Sequence, residues 1–325
     1  MSINTRFLII SDTHGLELPE ELRPKERVDV AIHCGDMTDG SRIEEYHTAL
    51  RLLQQVDAPL KLVIPGNHDV STDERAMRRL VREAFPPLDP DLAVKECSEV
   101  RALLTGEQAT DHGIHFLEEG THRFTLANGA SLTVYASPYT PAFGNGAFQF
   151  EPDSGHDFAI PQDADVVMTH GPPRGILDRV PGSGSVGCGQ LFEAVERARP
   201  RLHCFGHIHV GWGAKFVAWR EEAPPRDGEP PRTHFSAINN NHSAAVASLA
   251  SVRPGKFDSV ETLAEKKTRK EAWEAQGHCD GSFCAHDIHH VIKDKHTVFV
   301  NAAIGGPHDE RQLPWVVDIE LPAAR

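Results

Sequence analysis

The stretch CFGHIHVGWG, residues 204–213, sets His207 and His209 one residue apart between glycines, directly after a short apolar run. Side chains at i and i+2 of an extended segment point the same way, which predicts the two imidazoles side by side with Ile208 turned away. Neutral imidazoles held together are metal donors. Histidine pairs also occur on solvated strand faces, and 20 histidines in 325 residues make chance pairs common, so the pair needs matching donors elsewhere. SDTHG offers Asp12 and His14, GDMTDG offers Asp36 and Asp39, PGNHD offers Asn67 and His68, and THGPP offers His170. One aspartate after a strand is an ordinary turn former or helix cap. Five successive blocks that each deliver a metal-competent side chain point instead to a shared site.

The segments that must position these donors are RFLII, VDVAIHC, LKLVI, DVVM and RLHCF, each running directly into its donor block. Continuous apolar runs of this length predict strands buried on both faces of an α/β sheet, and in open α/β sheets functional groups collect at strand carboxyl ends. Helical spacing marks 41–56 and 71–85, each opening on a serine suited to capping, and 186–200, which stops at Pro200. In 122–139 an Asn-Gly pair between two strand-like runs predicts a hairpin. Residues 220–296 change character, with a Pro-rich charged loop (220–232), a low-complexity stretch (238–255) and a polar helix (259–277) closed by Gly277. The reading is one α/β domain over 1–325, with an insertion at about 220–296 before the last two strands.

Composition narrows the class. Hydrophobic residues at 39% and charged residues at 25% are ordinary for a soluble globular chain. A formal net charge of −14 argues against nucleic acid as a partner, because sequence-independent binding rests on Lys and Arg neutralising phosphates. No apolar run has the length of a signal peptide core or a membrane span, so the expectation is a cytoplasmic protein without a membrane partner. Its six cysteines show no secreted-domain framework and read as free thiols.

The order D-x-H, G-D-x-x-D, G-N-H-D, a lone His and G-H-x-H resembles the calcineurin-like metallophosphoesterases, over residues 6–213 with the strands at 297–321 completing the match. THGPPRGILD and the run from Val186 to Gly213 look like the vertebrate brain metallophosphodiesterase subfamily, the metallophosphoesterase-domain-containing or 239 proteins. Some members of that subfamily carry glycine at the first histidine of G-H-x-H and are impaired; this chain has His207. The resemblance implies an αββα sandwich of two mixed β-sheets flanked by helices. It further implies a pair of divalent ions, with Asp12, His14 and His209 holding the first, Asn67, His170 and His207 the second, and Asp36 bridging. Carboxylate, amide and imidazole donors suit Mn²⁺, the favoured ion, or Fe²⁺ or Zn²⁺. His68 is implied as the group that contacts phosphate and protonates the leaving alkoxide, with the Asp39 carboxylate orienting its ring and Asp69 in a supporting or turn role.

The activity implied is hydrolysis of small phosphodiesters, cyclic nucleotides among them, by hydroxide generated at the bridged ions, without a covalent enzyme intermediate. The donor set serves monoesters equally, so a phosphomonoesterase or protein phosphatase is an alternative, as is a non-catalytic nucleotide-binding or scaffold protein. Three further features are ambiguous. The segment 277–290 has a C-x₄-C-x-H-x₂-H spacing that is read as a zinc site, a lid over the cleft or an ordinary loop. Arg174 reads as a salt-bridged surface residue or a phosphate contact, and the glycines of 181–189 as a wall of the cleft.

Overall fold

The run RFLII lies in strand β1 (Ser2–Ile10), where its side chains divide by parity. Phe7 and Ile9 enter one apolar cluster, whereas Leu8 and Ile10 enter another. Successive strand side chains face opposite sides of a sheet, so a run that is apolar at every position needs cover on both. In the computed structural model, residues 1–17, 19, 26–86, 88–221, 232–305 and 310–324 are described. Most of the Pro-rich 220–232 loop lies outside them.

The remaining principal strands are β2 (Val30–His33), β3 (Leu60–Val63), β4 (Ile114–Phe116), β5 (Gly120–Thr125), β6 (Ser131–Ser137), β7 (Val166–Thr169) and β8 (Leu202–Phe205). They are followed by β9 (Gly213–Ala218), β10 (Ala244–Ser248), β11 (Cys279–Ser282), β12 (His296–Asn301) and β13 (Trp315–Pro322). One sheet has the order β11-β13-β1-β2-β3-β4 and the other β10-β9-β12-β8-β7-β6-β5. Both are mixed: β1 runs parallel to β2 but antiparallel to β13, and β12 parallel to β8 but antiparallel to β9. Between the sheets, Phe7, Ile9, Ile32 and Leu62 meet Val134, Met168, Leu202 and Val300 in one core.

Helix α1 (Ile43–Gln55) and helix α3 (Pro90–Thr105) cover the outer face of the first sheet through Tyr46, Leu50, Leu53, Val100 and Leu104. Between them in sequence is α2 (Glu74–Glu83). Helix α4 (Gly189–Ala198) covers the second sheet through Leu191, Phe192 and Val195. The layers are therefore αββα. Three local details differ from the sequence reading. Asp73 caps α2, accepting from the Arg75 and Ala76 amides, so Ser71 is not the cap. Arg42 rather than Ser41 is the N-cap of α1, whose first turn is closed by Glu45. The low-complexity stretch contains β10, which pairs antiparallel with β9 at a sheet edge. Helix α5 (Val260–Gln276) ends as expected, with Gly277 at φ 79°, and β5 pairs with β6 across the Asn-Gly turn.

His203 on β8 is fully buried, facing Phe205 and Phe299. Its Nε2 lies 2.8 Å from the Thr169 hydroxyl, while Nδ1 has no partner. Burial pushes its pKa down to about 3. The folded chain thus holds a neutral ring, and the unfolded chain takes up the proton below its ordinary value near 6.5. Stability present in full above that value falls as pH drops toward about 3, by about 1.4 kcal/mol per pH unit. Thr169 keeps its own donation to the Gly171 carbonyl, so His203→Leu leaves no stranded hydroxyl. Urea denaturation at pH 7 and pH 4.5 is expected to show a loss about 2–3 kcal/mol smaller in His203→Leu; equal losses would contradict this assignment.

Candidate metal centre

The loops after β1, β2, β3, β7 and β8 meet at one end of the two sheets. Asp12, His14, Asp36 and His207 all take left-handed backbone conformations, at φ 55°, 48°, 52° and 64°. Non-glycine residues rarely sit there, and such strain persists where the surroundings over-determine it. Two side-chain groups result. Asp12, His14 and His209 bring one ligand atom each within 4.8 Å of one another, and so do Asp36, His170 and His207. His14, Asp36 and His68 form a third such trio, overlapping the first two.

Hydrogen bonds lock the carboxylates. The His207 amide donates to both Asp12 oxygens, at 3.1 and 3.0 Å, and the His68 amide donates to Asp36 Oδ1 at 2.8 Å. His170 Nδ1 lies 2.9 Å from the Cys34 carbonyl, which turns Nε2 toward Asn67 Oδ1 at 2.9 Å and Asp36 Oδ2 at 3.3 Å. Fixing one ring nitrogen on a carbonyl is how ligand histidines are oriented. Backbone approach is close as well. A Cβ on Gly206 would collide with Asp12 Oδ2, and one on Gly66 with Asp36 Oδ1, so neither position has room for a side chain.

The donor set fits divalent ions. Asp12 and Asp36 are 0% and 2% exposed, with no Lys or Arg paired to either among the described residues. Burial raises the Asp12 pKa most strongly, but the hydrogen bond to His209 together with the charges of His209, His170 and His14 outweighs it and holds the carboxyl well below the usual range. His170 does the same for Asp36. In return Asp36 overcomes burial and lifts His170 to about 9, while Asp12 raises His209. Burial pushes His14 down and His207 down to about 4, leaving lone pairs free. His14 Nε2 and His209 Nε2 face each other at 3.3 Å, and His14 Nδ1 is buried without a partner. Anionic carboxylates, neutral imidazoles and a proton held on His170 where a cation would sit are what metal ions exchange into.

Several sequence expectations are placed differently. His207 and His209 do not lie on one extended strand: the left-handed His207 and a 3₁₀ turn at His209–Gly211 send them to different groups. His68 Nδ1 is 2.9 Å from the main-chain carbonyl of Asp39, whereas the Asp39 carboxylate is 3.7 Å away and equally far from His14 Nδ1. The ring of His68 is thus held by the backbone of that residue. No residue of 277–290 joins a three-ligand group among the described residues, and none lines the two cavities beside the centre. Arg174 is exposed, with no ion pair among the described residues.

Supporting residues complete the frame. Asp69, fully buried, accepts from the Met37, Thr38 and Gly66 amides and from the Thr38 hydroxyl, tying the loops after β2 and β3 together. Burial, and then Asp36, raise it to about 7. Asn301 donates to the Ile208 carbonyl at 2.9 Å and accepts from the Ala303 amide, bracing the 206–211 turn. Sequence reasoning missed Asn301, although TVFVN repeats the pattern of an apolar strand ending on a polar side chain.

An αββα sandwich with carboxylate and imidazole groups gathered on loops at its strand ends defines a metallophosphoesterase. The chain belongs to the calcineurin-like phosphoesterase family, whose sequence pattern matches residues 5–211. It is 33% identical over 218 residues to Metallophosphoesterase domain-containing protein 1 of Homo sapiens, covering 64% of this chain and 62% of that protein. It is also 33% identical over 219 residues to a protein of Emericella nidulans named Probable rhamnogalacturonate lyase C, covering 66% of this chain but 18% of the fungal one. A purple acid phosphatase structure from yellow lupin superimposes at TM-score 0.38 and 11% identity, over 68% of this chain and 40% of that one. The family's chemistry is metal-dependent phosphoester hydrolysis, typically with two divalent ions. No helix among the described residues is long and apolar enough to cross a membrane.

Proposed function

We propose that this protein is a metal-dependent phosphodiesterase acting on small diesters, cyclic nucleotides among them, in the cytoplasm. The observation that carries the hydrolytic reading is the pair of three-ligand groups in one cleft, with the Asp36 carboxylate reaching His170 on one side and the His14–His68 trio on the other. Asp12, His14 and His209 would hold one ion, Asn67, His170 and His207 the other, and Asp36 both. Two divalent ions, with Mn²⁺ favoured by this donor set, supply Lewis acidity toward phosphate oxygens and acidify water at neutral pH. The chain's own residues do the rest. Asp36 and Asp12 stay ionised and keep the centre in one geometry. His68, on the rim and held by the Asp39 carbonyl, delivers a proton to the departing alkoxide.

Preference for diesters is supported by two cavities beside the donors, one of about 760 Å³ lined by His68 and Asn67, the other of about 280 Å³ lined by His207. An acyclic phosphodiester has two substituents to place and a monoester one; a cyclic nucleotide carries both ester oxygens on one ribose, and for it the support is the family resemblance. The larger cavity carries Asp39, Glu44, Glu96 and Glu99 against Arg42, which disfavours a polyanionic strand and supports small substrates over nucleic acid. Six free cysteines suit a reducing compartment. Manganese-loaded protein assayed side by side on bis(p-nitrophenyl) phosphate, p-nitrophenyl phosphate and 3′,5′-cyclic nucleotides is expected to give kcat/KM at least about tenfold higher for the diester than for the monoester. Higher kcat/KM on the monoester would establish the phosphatase alternative, and tight nucleotide binding without turnover the scaffold alternative.

A further inference from the structure

We propose that the smaller cavity is a subsite for an uncharged aryl group on the phosphoester, and that Phe143 is the residue that selects it. This rests on the diesterase reading and names the substrate class within it. The cavity begins at His207 and Gly171 and is walled by Tyr139, Val186, Leu191 and Ile208, with no Asp, Glu, Lys or Arg in its lining. At about 280 Å³ it falls just below the usual range of whole small-molecule pockets, about 300 to 1,000 Å³, a size suited to one substituent. It has room for a ring and no counter-charge for an ionised group.

Phe143 is 89% exposed. Other phenylalanines are as exposed, but Phe143 alone among them lines both cavities beside the candidate ligands. Its loop is fixed. The Phe143 carbonyl accepts from Gln149 Nε2 at 3.1 Å, the Asn145 and Gly146 carbonyls accept from Arg79 at 3.1 and 2.9 Å, and the Ala147 amide donates to the Asn67 carbonyl at 2.9 Å. The aromatic residue is therefore hung on the main chain of a candidate ligand. With the main chain ordered in advance, stacking on a partner costs only the rotamer freedom of the exposed ring.

The two cavities differ in chemistry, the larger lined by four carboxylates and the smaller by no charged side chain, and we take this difference to orient a diester. His68 lines the larger, acidic cavity, so the alcohol released when water oxygen bonds to phosphorus and the opposite P–O bond breaks leaves on that side, taking its proton from His68. In an in-line displacement the retained substituent stands to the side of the axis from water to leaving group, and the apolar cavity beside His207 is the place proposed for it. The geometry points to an aryl monophosphate as the product held there.

The test compares phenyl p-nitrophenyl phosphate with methyl p-nitrophenyl phosphate, which share a leaving group and differ in the retained substituent. Relative to their uncatalysed ratio, kcat/KM is expected to favour the phenyl ester by at least about tenfold. Phe143→Ala should cut that ratio by about 2–10-fold, the size of an aromatic stacking contribution. Ser183→Trp, which places a large side chain from the exposed rim into the same cavity, should abolish the preference. Calorimetry on manganese-loaded protein gives a readout apart from turnover, with phenyl phosphate expected to bind more tightly than methyl phosphate and to lose that advantage in Ser183→Trp. Equal ratios and equal binding in all three proteins would overturn the subsite while leaving the diesterase reading intact. Selective binding of phenyl phosphate with no diester hydrolysis would support the subsite and overturn the diesterase reading.

Discussion

Asp36→Asn is expected to reduce bound divalent metal from two ions per chain to one or none and to lower kcat/KM on a diester by at least about 10³-fold. That factor corresponds to about 4 kcal/mol of transition-state stabilisation, within what a bound metal pair supplies. The substitution isolates charge from shape. The asparagine oxygen can still accept from the His68 amide, which Asp36 Oδ1 does at 2.8 Å, so the loop after β3 keeps its anchor. What disappears is the negative charge that reaches both ligand groups and would bind the two ions. Elemental analysis after dialysis against manganese, with thermal melting as a check on folding, reads the outcome. A folded Asp36→Asn protein that retains two ions and activity within tenfold of the parent would refute the bridging assignment.

His68→Ala is expected to behave in the opposite way, keeping both ions while kcat falls by about 10²–10⁴-fold, the usual range for a positioned general acid. The His68 ring lies edge-on to that of His14, with centroids 4.9 Å apart, and its Nδ1 is tied to the Asp39 carbonyl. It is therefore aimed by the backbone and belongs to the rim, next to the larger cavity. A second readout separates proton donation from a structural role. p-Nitrophenolate leaves readily without a proton, whereas the alkoxide released from a cyclic nucleotide does not. The deficit of His68→Ala should thus be smaller on the nitrophenyl ester than on the alkyl one. Equal deficits on the two substrates would mean that His68 positions phosphate and donates no proton.

Much of the architecture was legible because its causes are local. Apolar runs without alternation state that a strand is covered on both faces, and Phe7, Leu8, Ile9 and Ile10 divide between two cores for that reason. The Asn-Gly turn and the glycine at the end of α5 carry their own backbone geometry. The caps were less legible. Ser41 and Ser71 have the right chemistry, yet Ser41 bonds the Tyr46 hydroxyl and Ser71 instead, and Asp73 meets the free amides of α2.

The sequence by itself determined which donor types follow which strands, and hence that a site of carboxylates and imidazoles forms at the strand ends. The family resemblance implied how those donors are shared, and only the tertiary structure decided the backbone that shares them. Left-handed turns at Asp12, Asp36 and His207 part His207 from His209 and give each a different carboxylate, while the Asp39 carbonyl holds His68 at 2.9 Å with the carboxylate of the same residue at 3.7 Å. Those choices depend on hydrogen bonds between loops far apart in the chain, such as the His207 amide to Asp12 and the Met37 amide to Asp69. No local spacing encodes such pairings, because their energy exists only once both sheets have packed and brought the loops together.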